Sequence, residues 1–277
     1  MSRAATVQPG DRVLLLEPDT GYLHLVVPDG KGARKQRGLG VFDPARIVGL
    51  AYGARATVGA KAVVLLRPGL ADLAATLERK AQIILPKDAS RILYELGVGS
   101  GDRVLESGIG SGAATMALAW AVGDAGKVVV QELRDEFRAF ALDNLAKAGL
   151  GGRVEAHLGD LTQGLATGVQ GPFDAVLLDQ PEPWLAIPHL PAVLAPGARI
   201  ACYTPQVSQM EATAKTLTAA GWAQVRCLEL IERSWEVKER GSRPSFDGLG
   251  HTGFLVFGRW LGAPVAPPVA PAAGIPV

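Results

Sequence analysis

Cysteine is almost missing from this chain: Cys202 and Cys227 are the only two in 277 residues. Neither belongs to a CxxC pair or another metal-ligand spacing, so no metal centre is expected and a disulfide scaffold is excluded. Both lie in apolar runs and read as small buried thiols, with pairing between neighbouring strands left open. Long apolar runs are missing too. None reaches the ~18 residues that a membrane-spanning helix needs, so no membrane partner is expected. Residues Met1–Pro9 hold no apolar core of a secretory signal, which predicts a cytoplasmic protein. Charge of one sign is also scarce, with a net of +1. That balance argues against a strongly basic nucleic-acid-binding chain. Its distribution is less even: residues 1–82 carry 12 Lys/Arg against 7 Asp/Glu, the remainder 16 against 20. A basic front on an acidic body suits an anionic partner.

Apolar residues, at 48%, are ample for a large core, and glycine is abundant at 34. The N-terminal stretch reads as a small β-domain. Asp11–Leu16 and Gly21–Val27 are strand-like runs around the turn residues Pro18-Asp19-Thr20-Gly21, which predicts a hairpin. Asp29–Gly38 reads as a glycine-rich basic loop, solvated or in contact with phosphate. Helical periodicity over residues 70–82 predicts a linking helix. Pro86–Ser90 opens another, with Asp88 as N-cap and Gly97 as stop.

From Asp102 onward, strands and helices alternate. Lys127–Glu132, Arg153–Leu158, Phe173–Asp179 and Ala198–Tyr203 read as strands. Asp135–Ala148, a segment near Trp184–Leu194, and Val207–Ala220 read as helices. This alternation predicts an α/β fold with a parallel sheet. Ala223–Ile231 and His251–Arg259 follow without a helix between them, joined by a long loop over 238–250. They predict an antiparallel strand at the end of the sheet. The expected division is a β-domain over 1–68, a larger domain over 69–262, and a disordered Ala/Pro-rich tail over 263–277.

Chemistry concentrates at the carboxyl ends of the α/β strands, where open sheets of this kind hold ligands. Glu106-Ser107-Gly108-Ile109-Gly110-Ser111-Gly112-Ala113 ends the first of them and leads into a helix. Its glycines let backbone approach a nucleotide-like ligand, without saying which one. Glu132 ends the second strand, 20 residues past Gly112, where a carboxylate commonly accepts from ribose hydroxyls. Asp160 ends the third, placed to accept from an adenine amino group. Asp179 ends the fourth, within Asp179-Gln180-Pro181-Glu182-Pro183-Trp184. Carboxylates at successive strand ends disfavour a phosphate-bearing ligand and favour a cationic nucleoside.

VLESGIGSG, VVVQE, LGDL and FDAVLLDQPEPW, in this order, resemble the motifs of class I S-adenosylmethionine-dependent methyltransferases. QIILPKDAS, LLDQPEPW, RSWEV, RP at Arg243-Pro244 and GHTGFLVFGR narrow the likeness, as does RGLGVFDPARIVG in the N-terminal stretch. They are similar to the bacterial and archaeal tRNA (adenine-N1)-methyltransferases, which modify the T-loop adenosine at position 58. The resemblance implies a Rossmann-like sheet ending in an antiparallel strand, S-adenosyl-L-methionine as cofactor, tRNA as substrate and a homotetramer. It implies cofactor contacts from Gly108, Gly110, Ser111, Gly112 and Ala113. Ribose binding falls to Glu132, with Phe137 nearby, and adenine binding to Asp160. Asp179 becomes the catalytic carboxylate, also beside the cofactor, while Tyr203 and Leu85 line the target pocket. Two positions depart from the family's pattern: Leu85 stands where a tyrosine is usual, and Phe42 where histidine is usual.

Some readings stay double. His251 reads as structural or functional, Trp184 and Trp235 as core or pocket wall, and Arg243 as a contact to RNA phosphate. Another methyl acceptor (protein or small molecule), a nicotinamide-dependent oxidoreductase and a catalytically silent RNA-binding subunit remain alternatives.

Overall fold

The computed structural model describes residues 5–262, so the expectation for the 263–277 tail lies outside the described residues. The chain begins with strands β1 (Val13–Leu16), β2 (Leu23–Val26), β3 (Arg34–Gln36), β4 (Gly40–Phe42), β5 (Arg55–Val58) and β6 (Lys61–Leu66). The predicted hairpin is present, with Val13 opposite Val26, inside an antiparallel sheet of order β2-β1-β6-β5. Alternation turns Val13, Leu15, Val26, Val63 and Leu65 onto one face, where Phe42 joins them in a single core. The basic stretch is not wholly a loop, because β3 and β4 pair as a short hairpin.

The remainder carries helices α1 (Leu70–Thr76), α2 (Pro86–Leu96), α3 (Ala113–Val122), α4 (Asp135–Ala148), α5 (Pro183–Ala186) and α6 (Val207–Ala219). Between them run β7 (Arg103–Ser107), β8 (Lys127–Glu132), β9 (Val154–Leu158), β10 (Phe173–Leu178) and β11 (Leu194–Thr204). The chain closes with β12 (Ala223–Glu229), β13 (Trp235–Lys238), β14 (Gly241–Pro244) and β15 (Phe254–Arg259). The main sheet has the order β12-β15-β11-β10-β7-β8-β9. Strands β7 to β11 pair in parallel, and β15 inserts between β11 and β12 antiparallel to both. The α/β fold with an antiparallel last strand is therefore the one expected. Helices cover both faces, which is why β8 is apolar at successive positions: Val128 and Val130 pack on one side, Val129 on the other.

Four local expectations need correction. Helix α1 ends at Thr76 rather than near residue 82. Beyond it the Lys80 and Ala81 amides donate to the Ser111 hydroxyl at 3.1 and 3.2 Å, so a tertiary acceptor replaces the helical ones. Asp88 is not the N-cap of α2. Leu85 holds that position, Pro86 opens the helix, and Asp88 is fully buried inside the first turn. The segment near Trp184–Leu194 is a short helix followed by 3-10 turns, because Pro188 and Pro191 interrupt the ladder, and Leu194 already belongs to β11. The 238–250 stretch is not all loop either, since β13 and β14 form a hairpin with Trp235 opposite Pro244.

The two cysteines do not pair. Cys202 on β11 and Cys227 on β12 both lie opposite Val256 of the intervening β15. Two strand spacings separate them by about 9–10 Å, beyond the reach of a disulfide.

Arg12, just ahead of β1, ties the N-terminal sheet to the α/β body, beside the packing of Leu25 on the main core. The Arg12 guanidinium donates to the carbonyls of Ala146 (3.1 Å) and Lys147 (3.3 Å), the last turn of α4. A cation there adds a donor to carbonyls of the last turn and complements the negative end of the helix.

Candidate active site

The order of the main sheet reverses between β7 and β10. From β7 the chain steps outward to β8 and β9, then returns to the other side of β7 to begin β10. That reversal opens a crevice at the carboxyl ends of the two strands, where Gly108 and Asp179 meet. The Asp179 amide donates to the Ser107 carbonyl at 2.8 Å. Gly108 has φ +88°, and a Cβ there would overlap the Asp179 carbonyl, so only glycine fits. Gly110 and Gly112 also adopt positive φ, and Gly112 caps the start of α3 at Ala113.

Glu132 is buried at the end of β8 and braces this loop. One carboxylate oxygen accepts the Ile109 amide and the other the Arg134 amide, each at 2.9 Å. Each oxygen has a further lone pair for a ligand hydroxyl. Phe137 lies one turn into α4 with the Arg134 guanidinium 3.9 Å from its ring centre. Asp160 ends β9 and caps the turn after it through one oxygen, which accepts the Thr162 amide (2.9 Å) and hydroxyl (2.7 Å).

Asp179 is part-buried, and no side-chain hydrogen bond occupies its carboxylate among the described residues. Enclosure, followed by the negative charge of Glu132, pushes its carboxyl up to about 7. Glu106, on β7, was not singled out as a site residue. It is completely buried and neither of its oxygens has a hydrogen-bond partner. Burial raises its carboxyl to about 8, with further upward pressure from Asp179 and Glu132. Its signal in the sequence was an acid inside the apolar strand Val104-Leu105-Glu106.

The structure brings the PKDA and GHTG segments together beside this crevice. Lys87 Nζ contacts Asp88 Oδ1 (2.8 Å) and donates to the Thr252 hydroxyl (2.7 Å) and the Leu230 carbonyl (2.8 Å). Thr252 in turn donates to Asp88 Oδ2 at 2.8 Å. Tyr203, at the end of β11, donates its hydroxyl to the Thr252 carbonyl at 2.6 Å. Burial and then the charge of Asp88 push that phenol up to about 12, so it remains neutral and acts as a wall.

The surroundings of the other expected positions differ. The Ser111 hydroxyl accepts from the Lys80 and Ala81 amides, and its carbonyl accepts from the Asn144 side-chain amide at 2.9 Å. Leu85 is half-buried at the start of α2, and Phe42 belongs to the core of the N-terminal sheet. His251 is structural: its ring nitrogens meet Glu229 Oε1 at 2.6 Å and the Pro205 carbonyl at 2.9 Å. The Glu229 carboxylate raises its pKa, as expected of an imidazolium between two acceptors. Trp184 is half-buried in α5, whereas Trp235 is exposed on the β13–β14 hairpin. Arg243 pairs with Glu236 at 2.9 Å and lies 4.4 Å from the Phe246 ring centre on the same hairpin.

A large cleft lies between the N-terminal sheet and helices α1 and α4. It encloses about 1230 Å³ and is lined by Tyr22, His24, Arg34, Arg37, Lys80 and Phe140, among others. Two of these come from the basic stretch. The 77–85 segment that reaches Ser111 forms part of its wall.

Known proteins share this fold. The family model described as the tRNA methyltransferase complex GCD14 subunit matches residues 62–245. The tRNA (adenine(58)-N(1))-methyltransferase TrmI of Thermus thermophilus is 33% identical over 89% of this chain and 96% of its own. A Methanocaldococcus jannaschii relative, described as acting on adenines 57 and 58, is 31% identical over 70% of this chain and 77% of its own. Among solved structures, the tRNA (m1A58) methyltransferase TrmI of Aquifex aeolicus superposes with a TM-score of 0.72 at 28% identity, covering 93% of this chain and all of that one. A Thermotoga maritima protein described as an S-adenosylmethionine-dependent O-methyltransferase superposes at 0.79 with 32% identity, covering 95% and 97%. With two thirds of its length matched by the family model and near full-length likeness to these enzymes, this chain belongs to the GCD14/TrmI family of tRNA methyltransferases.

Proposed function

We propose that the protein transfers a methyl group from S-adenosyl-L-methionine to N1 of the T-loop adenosine at tRNA position 58. One observation carries this reading: Asp179, with a free carboxylate, stands against the glycine loop at the point where the sheet order reverses. The residues present fit the cofactor. Gly108 leaves room for close backbone approach, Glu132 and Asp160 retain acceptors for hydroxyl and amino groups, and no side-chain cation among the described residues acts on Glu106 or Asp179. When bound, the cofactor supplies an electrophilic methyl on a positively charged sulfur.

The N1 lone pair of adenine is already available at neutral pH, so the enzyme need not generate a nucleophile. Asp179 in its ionised form accepts from the exocyclic amine, aims N1 at the methyl and stabilises the positive charge that spreads over the base. Tyr203 and Leu85 wall the pocket into which the base is extruded from the tRNA stack. Residues 1–68 serve as an RNA-facing β-domain and 69–262 as the methyl-transfer domain. Arg34, Arg37 and Lys80 in the large cleft supply cations for the phosphate backbone.

Labelled cofactor and unmodified tRNA, followed by nucleoside analysis, are expected to yield 1-methyladenosine at position 58. Label in another nucleoside, or in an oxygen-linked methyl, overturns the reading.

We further propose a cytoplasmic homotetramer. Its support is the β13–β14 hairpin and its flanks, where Trp235, Val237 and Phe246 are 61%, 83% and 84% exposed. Such a patch is costly on a monomer. A mass in solution equal to a single chain would remove this part of the proposal.

A further inference from the structure

Glu106 is the one fully buried acid of the described residues with neither carboxylate oxygen in a hydrogen bond. On α3, the buried Thr115 hydroxyl is likewise without a hydrogen-bond partner. The charged groups that act on Glu106 are Asp179 from the end of β10 and Glu132 from the end of β8, both anionic. The Thr115 hydroxyl faces Glu106 and favours its ionisation, against the larger effect of burial. Arg134 approaches Glu132 at 3.9 Å but is 59% exposed. From β11, Tyr203 feels Asp179 and stays neutral. Three acids therefore converge where the chain sets no counter-ion on Glu106.

An ionised carboxylate in such surroundings costs several kcal/mol unless a cation joins it. The chain alone resolves this by keeping the proton, and burial accordingly lifts Glu106 to about 8. We propose that Glu106 exchanges its proton for the positive charge of the incoming cofactor, so that the pocket binds the sulfonium form with proton release and holds the neutral thioether product more weakly. This rests on the S-adenosylmethionine reading above. In the exchange the carboxyl O–H bond breaks, the proton passes to buffer, and the carboxylate remains beside the bound cation. Methyl transfer carries the positive charge away to the base, and Glu106 recovers a proton from solvent. Loss of the attraction between carboxylate and sulfonium is what weakens the hold on the spent cofactor. Glu106 is on this account a positioning and specificity-determining residue that discriminates by charge.

Linkage fixes the sign. A site that releases a proton on binding gains affinity as pH rises towards the pKa of the free site. The affinity of the full-length protein for S-adenosylmethionine is expected to rise about tenfold from pH 6 to pH 7 if one proton is released, with a shallower rise for S-adenosylhomocysteine. Calorimetric titration at pH 7 in phosphate and in Tris, whose ionisation heats differ, counts the protons directly. Roughly one is expected per S-adenosylmethionine bound, fewer for S-adenosylhomocysteine, and at most about half the wild-type number in Glu106→Gln. The preference of that variant for the sulfonium form over the thioether is also expected to narrow. Binding heats that do not depend on buffer in the wild type overturn the proposal and leave the cofactor reading standing. So does undiminished proton release in a folded Glu106→Gln. Absence of binding by either nucleoside overturns both. Because the wild-type titrations carry the first test, a variant that fails to fold does not protect the idea.

Discussion

Replacing Asp179 with alanine is expected to lower kcat for tRNA methylation by about 10²–10³-fold, while S-adenosylhomocysteine still binds. The reason lies in what Asp179 touches. Its backbone is fixed by the Ser107 carbonyl and by contact with Gly108, yet its carboxylate is free, so the side chain can be removed without taking the cofactor loop apart. Asparagine keeps an acceptor for the exocyclic amine and loses the charge, so Asp179→Asn is expected to fall between wild type and alanine. The pH profile adds a second check. Asp179 is pushed up to about 7, and the ionised form is the one that stabilises a cationic base. With cofactor saturating, kcat/KM is expected to rise about tenfold per pH unit below the pKa that Asp179 holds in the cofactor complex, which the positive sulfur sets below that of the free site, and to level off above it. In Asp179→Asn the limb should disappear. Single-turnover rates on unmodified tRNA across pH 5.5–9 read both effects, and an unchanged profile in the variant would assign the chemistry to another group.

The carboxylates at the strand ends were legible because strand periodicity and glycine spacing are local properties. Lys127–Glu132 and Asp135–Ala148 coincide with β8 and α4 residue for residue, since Gly149 and the acids of the first helical turn mark the ends. Glu132 and Asp179 then follow from counting to where each strand stops. What could not be read was anything set by a partner distant in the chain. The periodicity of residues 70–82 is helical, but Ser111, some thirty positions away, captures the amides of Lys80 and Ala81 and the helix ends early. Tyr203 was expected at the target pocket, which its neighbourhood with Asp179 suits, yet its hydroxyl is committed to Thr252. Glu106 stood in plain view within the glycine motif. Its state is a property of packing, since only the structure shows it fully buried with neither oxygen in a hydrogen bond.

The same distinction makes Lys87 a residue whose loss is expected to be strongly destabilising. In sequence Asp88 reads as a helix cap, because an acid after Pro86 commonly is one. Its burial changes the physics. Asp88 is fully enclosed, and one oxygen faces Lys87 while the other accepts from Thr252, 164 positions further along. Lys87→Met leaves that carboxylate buried with a single hydroxyl donor, a change worth about 3–5 kcal/mol, and it also strips a donor from the Leu230 carbonyl. Since Thr252 holds Tyr203 through its carbonyl, loosening the cluster moves a wall that faces Asp179. Lys87→Met is therefore expected to lower both the denaturant midpoint and kcat. Adding Asp88→Asn removes the stranded charge and is expected to recover more than half of the lost stability but less of the rate, because the tether between α2 and β15 stays weakened. Equilibrium denaturation of the single and double variants separates these terms. If the double variant is no more stable than the single one, the penalty is lost packing, and the Lys87–Asp88 charge pair is not what locks the GHTG segment onto the fold.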